Sequence, residues 1–343
     1  MRVRVFPNET ARHEGAWSDG ISIPAQSRFA SFSEETRTAY VARLEGPQAT
    51  RSALLYAACL QFHSLSRPKN LDIGRTWHAW GIALDFSRST WDGEKLAAFA
   101  QPRVESVDLP GKALLAMGNG DPDLSKLVAS DAVDPALTWG LAAMCLHGSQ
   151  AAYRTAFHRY ALGETGTKLG TEDFLRTLGP AKKLSKDLRA FLLSAQVPFE
   201  TVGDWEDRGS AGIVGHDAGT KVGFCVLRAG VERLTARVSE LPKVGGRMGF
   251  VAGWAGPEDC AQIDIEAPEV LIRVTRLGKA VSQSRLPIPG DAHRERTIAL
   301  ERVGSQYTLT VDGTRFTELE LPSGRMGFFV VGTDVAFRDV TWR

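Results

Sequence analysis

The stretch that decides the fold of the second half of the chain is TIALERVGSQYTLTVDG, residues 297–313. Two short runs rich in strand-forming residues, 297–302 and 307–311, are separated by the Val-Gly-Ser-Gln segment at 303–306. Directly after the second run comes Asp312-Gly313, a dipeptide that favours a type I′ hairpin because both central positions of that turn have positive φ. The stretch therefore predicts antiparallel strands joined by tight turns.

The same pattern extends from Val197-Pro198 to the end of the chain. Further strand-type runs recur at the spacing of about 8–12 residues that is typical of β-sandwiches. They are 223–227, 234–238, 249–254, 261–266, 270–275 and 327–331. Before residue 197 apolar residues recur at helical spacing, as in Leu137, Leu141 and Met144. We therefore predict an α+β chain of two domains, a mainly helical one over 1–196 and an all-β one over 197–343.

A five-residue repeat lies inside the predicted β domain. Gly-Arg-Met-Gly-Phe occurs at 246–250 and again at 324–328, and each copy leads into an apolar strand. We expect the two strands to have equivalent structural roles.

The end of the chain carries a family resemblance. Residues 300–313, the run 322–328 and the terminal Val-Ala-Phe-Arg-Asp-Val at 335–340 together resemble the end of a concanavalin A/laminin-G-like jelly roll. They are especially similar to the bacterial domain family described as 3-keto-disaccharide hydrolase. The resemblance covers about residues 198–343, and it implies a jelly-roll sandwich with a carbohydrate as ligand or substrate.

Strand alternation groups polar side chains on one face of this domain. In 261–266 three apolar residues alternate with polar ones, and in 270–274 the same alternation leaves Arg273 away from the core. If these strands pair, the polar residues share one face, which on a jelly roll is the concave, sugar-binding one. Trp254, at the end of the preceding strand, would supply an aromatic surface, and we expect the side chains of Trp254 and Asp264 to be at least partly exposed. The candidate carbohydrate-binding residues are Trp254, Gln262, Asp264, Glu266 and Arg273.

Two alternatives stay open for this face. One is an ordinary solvated sheet face with a tryptophan at its edge. The other is a hydrolase, because carboxylates two residues apart on a strand have Cα atoms roughly 6.5–7 Å apart, within the range of about 5–9.5 Å found for glycosidase pairs. The spacing is unspecific, and we assign no catalytic residue.

The helical half resembles a gluzincin-type metallopeptidase family in two segments, 54–61 and 76–86. The resemblance places the two zinc-binding histidines on Tyr56 and Leu60, the catalytic glutamate on Ala57 and the third ligand on Trp80. None of these four side chains can take the corresponding role at zinc. The resemblance therefore implies a pseudopeptidase without metal or cofactor.

A second register of the same helix pairs Cys59 with His63, four residues apart. Leu60 then stands at the position of the catalytic glutamate, and the second segment still lacks its ligand. This register, too, does not restore the family's metal site.

Composition excludes several function classes. With 41 Lys and Arg against 40 Asp and Glu, the net charge of +1 gives no electrostatic footprint for nucleic acid or an anionic membrane. The sequence contains no apolar run of the roughly 20 residues that cross a bilayer, and its start lacks the apolar segment of a signal peptide. We therefore expect a cytoplasmic location by default.

The four cysteines are Cys59, Cys145, Cys225 and Cys260. We interpret them as buried thiols, with a Cys225–Cys260 disulfide as the alternative.

The function that these patterns favour is non-catalytic binding of a carbohydrate or glycosylated partner by the β domain, with the helical half as a scaffold. A glycoside-active hydrolase and a protein–protein interaction module are the alternatives, since a fold alone does not determine function.

Overall fold

The computed structural model divides into two compact units. Unit 1 comprises residues 1–89, 98–101 and 107–196, and unit 2 comprises 90–97, 102–106 and 197–343. The structure describes residues 2–23, 30–44, 46–66, 77–105, 107–118, 120, 124, 134–162, 171–216, 221–238, 246–266, 269–277, 279–288 and 295–343.

Unit 1 combines a small sheet with helices. Its strands are β1 (Arg2–Phe6), β2 (Ala30–Ser33) and β3 (Thr38–Ala42), in the order β1-β3-β2. Its described helices are α1 (Glu9–Ser18), α2 (Pro47–Ser66), α3 (Trp77–Ser87), α4 (Leu109–Met117), α5 (Pro135–His147), α6 (Ala151–Leu162), α7 (Thr171–Leu178) and α8 (Ala181–Ser194). The prediction of a mainly helical half did not include this sheet.

Helix α5 is the centre of the core of unit 1. The Asp134 side chain caps its N-terminus by accepting hydrogen bonds from the amides of Ala136 and Leu137, and its residues 136–145 are all buried. A helix that is apolar on every side must pack on several neighbours. Helix α5 ends before Gly148, whose amide donates to the carbonyl of Met144.

Unit 2 is a sandwich of two seven-stranded antiparallel sheets. The front sheet has the order β14-β13-β12-β11-β18-β9-β6, and the back sheet has the order β17-β16-β15-β10-β19-β8-β7. The front strands are β6 (Phe199–Val202), β9 (Gly223–Leu227), β11 (Arg247–Gly256), β12 (Asp259–Glu266), β13 (Glu269–Arg276), β14 (Lys279–Pro287) and β18 (Arg325–Val331). The back strands are β7 (Trp205–Asp207), β8 (Ile213–Gly215), β10 (Arg233–Val238), β15 (Arg296–Val303), β16 (Gln306–Val311), β17 (Thr314–Leu319) and β19 (Val335–Trp342).

The core of unit 2 lies between the two sheets. Alternate residues of each strand point inward, and they include Phe250 and Ile263 from the front sheet and Leu300 from the back sheet. The stacked rings of Phe328 and Phe337, whose centroids are 4.3 Å apart, join the sheets. At Asp312-Gly313 both residues have positive φ, 48° and 84°, and the predicted hairpin between β16 and β17 is confirmed.

The repeated Gly-Arg-Met-Gly-Phe motifs lie side by side. Strands β11 and β18 pair antiparallel with Phe250 opposite Phe328, and both phenylalanines are buried in the core. A Cβ atom at Gly249 would lie 1.9 Å from the carbonyl oxygen of Ile263, and one at Gly327 would lie 2.2 Å from that of Cys225. Each motif thus uses its second glycine for close approach to the next strand, which confirms the expected equivalence of the two strands.

The cysteines are free thiols. Cys225 faces the core between the sheets, whereas Cys260 belongs to an apolar cluster on the outer face of the front sheet. The alternative of a disulfide between them is wrong, because side chains on opposite faces of a sheet cannot be bridged. Cys59 in α2 is half-buried rather than buried.

Two segments from the first half of the chain belong to the sandwich unit. One is the hairpin of β4 (Thr90–Trp91) and β5 (Leu96–Ala97), and the other is the segment 102–106. In the second segment Val104 is fully buried in the sandwich core, and Arg103 binds the buried carboxylate of Asp207. The sandwich unit is therefore larger than the domain predicted over 197–343.

Candidate functional site

The candidate site is the outer face of the front sheet. Strand β12 pairs with β13 so that Gln262 lies opposite Arg273, and it pairs with β11 so that Asp264 lies opposite Gly249. Because Ile263 and Ile265 point into the core, Gln262, Asp264 and Arg273 project from the outer face, as the alternation of the sequence indicates.

Trp254 lies on this same outer face but is buried. The register of β11 shifts between Ala252 and Gly256, and Gly253 has φ of 62° at that irregularity. The indole packs against Phe224, with ring centroids 4.7 Å apart, and is only 6% exposed. The prediction of a partly exposed stacking platform is therefore wrong, because the ring fills an apolar cluster. The cluster consists of Phe224, Val226, Val251, Trp254, Cys260 and Phe329.

Asp264 is fully buried as the acceptor of an arginine. Nη2 of Arg247 donates to both carboxylate oxygens of Asp264, at 2.8 and 2.9 Å, and to Oε1 of Gln262 at 3.1 Å. The expectation that Asp264 is partly exposed is wrong, since a carboxylate buried on a sheet needs a charged partner and Arg247 supplies it.

Sequence reasoning missed Arg247, although it is part of the repeated motif. Its guanidinium carbon lies 5.7 Å from the centroid of the Phe329 ring, so the group is held between a carboxylate and an aromatic face. The Nε atom is buried and has no acceptor among the described residues. Arg325, which occupies the equivalent position in the second motif, instead pairs with Glu200 at 2.7 Å.

Arg273 is half-buried beside Gln262, and no hydrogen bond or ion pair joins its side chain to any other residue in the described ranges. The next cation along this face, Arg285 on β14, pairs with Glu269 at 3.2 Å. Arg273 and Arg247 therefore present guanidinium donors that the described part of the protein leaves available.

Glu266 ends β12, where its backbone pairs with Glu269. Its side chain lies outside the described part of the structure. The predicted pair of carboxylates is thus represented by Asp264 alone, and Asp264 is buried and bound to Arg247.

The segments that resemble a metallopeptidase lie on two helices that pack together, α2 and α3. Ala57 is buried, while Tyr56, Leu60 and Trp80 are half-buried. Burial, together with the nearby carboxylate of Asp85, raises the pKa of Cys59 to about 11. This thiol is therefore protonated at neutral pH when no metal is bound.

No group of three or more His, Cys, Asp or Glu side chains arranged to hold a metal ion occurs among the described residues. The described helices include none that is both long and apolar enough to span a membrane.

Several solved structures are similar to part of this chain. A carbohydrate-binding module, CBM66, from Bacillus subtilis is 19% identical over 43% of this chain and 95% of that chain, with a TM-score of 0.34. Sheep galectin-11 in complex with glycerol is 12% identical over 36% and 98%, with a TM-score of 0.28. A β-glucanase from Bacillus licheniformis is 12% identical over 39% and 70%, with a TM-score of 0.30. No protein-family model matches the sequence, and no curated protein matches it.

Proposed function

We propose that unit 2 binds a carbohydrate on the outer face of the front sheet, without catalysing a reaction there. The observation that carries the proposal is the arrangement of Arg247, whose Nη2 is fixed by the buried Asp264 and by Gln262, while its Nη1 makes no hydrogen bond among the described residues and the side chain is 22% exposed. Saccharide hydroxyls and ring oxygens accept hydrogen bonds. A donor whose orientation is already fixed loses less conformational entropy when it binds them.

In this proposal the predicted site residues have distinct roles. Arg247 and Arg273 contact the sugar, while Asp264 and Gln262 orient Arg247. Trp254 shapes the floor of the site by packing rather than by stacking on a sugar ring. The role of Glu266 as a further acceptor for hydroxyl groups stays part of the proposal.

The geometry favours binding over hydrolysis. A general acid must reach the glycosidic oxygen, and a nucleophile must reach the anomeric carbon. The Asp264 carboxylate is fully buried, and both of its oxygens accept from Arg247. It is therefore better suited to hold an arginine than to act on a substrate.

Arg273→Ala tests the proposal. A glycan array probed with the full-length protein identifies a saccharide, and isothermal titration calorimetry then compares its affinity for the variants. We expect Arg273→Ala to weaken binding about ten- to hundredfold, the effect of removing a hydrogen bond to a charged group.

Arg276→Ala is the matched control, because Arg276 lies on the same strand but is exposed and three residues away on the opposite face. The affinity of Arg276→Ala for the saccharide should equal that of the unchanged protein. If no glycan binds, or if both variants bind alike, the front face is not the saccharide site.

We propose that unit 1 is a scaffold without zinc at the positions indicated by the metallopeptidase resemblance. Tyr56, Leu60 and Trp80 offer neither imidazole nor carboxylate to the metal. We expect elemental analysis of the purified protein to find less than stoichiometric zinc. We expect peptidase assays of the same protein to find no activity. About one zinc per chain that is lost on Cys59→Ala or His63→Ala would instead support the second register.

A further inference from the structure

Arg273 lies among uncharged neighbours on the outer face of the front sheet. Its partners in the strand register are Gln262 on β12 and Gln283 on β14, and Leu271 and Thr275 lie next to it on the same face of β13. None of these four side chains carries a charge that could balance the guanidinium.

The carboxylate closest to Arg273 by strand register is that of Asp264. It lies at the diagonal position on β12, where Cβ atoms are about 7–8 Å apart. Both of its oxygens accept from Arg247. Asp264 therefore balances the charge of Arg247, and no ion pair joins it to Arg273.

Two further acidic residues of this face lie farther along the strands. The backbones of Glu266 and Glu269 are four residues from Gln262 and Arg273, respectively, which is about 13 Å along a strand. Glu269 also pairs with Arg285 at 3.2 Å. The positive charge of Arg273 is therefore available to a ligand.

The surroundings of Arg273 favour an ion pair there. Arg273 is half-buried, and its neighbours Gln262 and Leu271 are only 6% and 8% exposed. Partly buried ion pairs are screened by water and salt less than exposed ones. An anion at Arg273 is therefore held more strongly than at a fully exposed arginine.

Gln262 brings the two arginines of the site close to each other. Its Oε1 accepts from Nη2 of Arg247 at 3.1 Å, and Arg273 lies directly opposite it on β13. The Cβ atoms of directly opposed residues are about 4.5–5.5 Å apart. One sugar can therefore contact both guanidinium groups.

We propose that the saccharide bound on this face carries a carboxylate group, as a uronic acid does. Arg273 binds the carboxylate in the planar, two-bonded geometry of a guanidinium, and Nη1 of Arg247 donates to a hydroxyl group of the same sugar. The carboxylate binds Arg273 because Asp264 already balances Arg247. This inference rests on the proposed function, since it names the class of sugar that the front-sheet site takes.

Uronic acids and their methyl esters test the inference, because esterification removes the charge and keeps the sugar ring. Isothermal titration calorimetry of the full-length protein compares the methyl glycosides of glucuronic acid and galacturonic acid with the methyl ester of each and with acetate. We expect at least one acid to bind about tenfold or more tightly than its ester. Acetate, which has no sugar ring, should bind more weakly than that acid.

Arg273→Gln removes the charge of this side chain but keeps it polar. We expect this variant to bind the acid about tenfold or more weakly, at the affinity of the ester. Its affinity for the ester should be unchanged, which also reports that the site is intact. Arg276→Ala, on the opposite face of the same strand, should leave both affinities unchanged.

Four results overturn the inference: neither acid binds, acid and ester bind alike, acetate binds as tightly as the acids, or Arg273→Gln weakens acid and ester equally. The glycan array separates these results from a failure of the proposed function. If neutral glycans bind and Arg273→Ala weakens them, the front face binds sugars without a preference for carboxylates. If no glycan binds, the proposed function is wrong as well.

Discussion

We expect Asp264→Ala to lower the free energy of unfolding of unit 2 by about 3–5 kcal/mol, the range for breaking a buried ion pair. The Asp264 side chain is fully buried, and Arg247 is 22% exposed. Without the carboxylate, the guanidinium loses its charged acceptor in a partly desolvated position. Equilibrium urea unfolding, read from the transition that carries the β-type circular dichroism signal, measures the change.

Asp259→Ala is the control, because Asp259 lies exposed on the same strand. Exposed substitutions of this kind usually change stability by about 0.5 kcal/mol or less. Asp264→Asn keeps one oxygen acceptor for Arg247 and should fall between the two. If Asp264→Ala were as stable as Asp259→Ala, the Asp264 carboxylate would not be what holds the Arg247 guanidinium in place. The proposed role of Asp264 in orienting Arg247 would then be wrong.

Arg103→Ala should destabilise unit 2 by about 3 kcal/mol. Nη2 of Arg103 donates to Oδ1 of Asp207 at 2.7 Å, and the Asp207 side chain is only 3% exposed. The expected cost lies near the lower end for a broken buried pair, because the amides of Arg103 and Gly209 continue to donate to Asp207. Urea unfolding of the full-length variant measures it.

Arg237→Ala is the matched control, since its partners Glu295 and Asp339 are exposed and such pairs contribute at most about 1 kcal/mol.

The pair of Arg103 and Asp207 also predicts that an isolated fragment 197–343 is less stable than the sandwich within the full chain, because the fragment lacks both Arg103 and Val104. A fragment as stable as the intact unit would show that these two residues contribute nothing to the fold.

The sequence predicts most of the inner strands of the sandwich. The eight strand runs from 223–227 to 327–331 all correspond to observed strands, because each has neighbours on both sides and buries its alternate residues. The strands of the two seven-stranded sheets for which the sequence analysis identified neither a strand-type run nor a terminal motif are β6, β7, β8, β14 and β17. Four of them, β6, β7, β14 and β17, are the edge strands of the two sheets.

Edge strands give a weaker sequence signal for a physical reason. In β14 the described side chains are exposed apart from the partly buried Leu286, so polar and apolar residues need not alternate. Its backbone becomes a strand because β13 offers a complementary ladder of donors and acceptors. That pairing depends on the neighbouring strand β13, so the residues of β14 alone do not predict it.

The candidate site divides in the same way between sequence and structure. The period of two along β12 and β13 determines that Gln262, Asp264 and Arg273 share a face, because successive side chains on a strand point to opposite sides. The type I′ hairpin at Asp312-Gly313 and the close-packing glycines of the repeated motif are likewise local consequences of the sequence.

Only the tertiary structure decided what these side chains contact. It brought Arg247 from β11 onto Asp264, and it buried Trp254 against Phe224 from β9. It also joined Arg103 to Asp207 across more than a hundred residues of sequence. Burial and ion pairing depend on which strands become neighbours, and alternation along one strand carries no information about that choice.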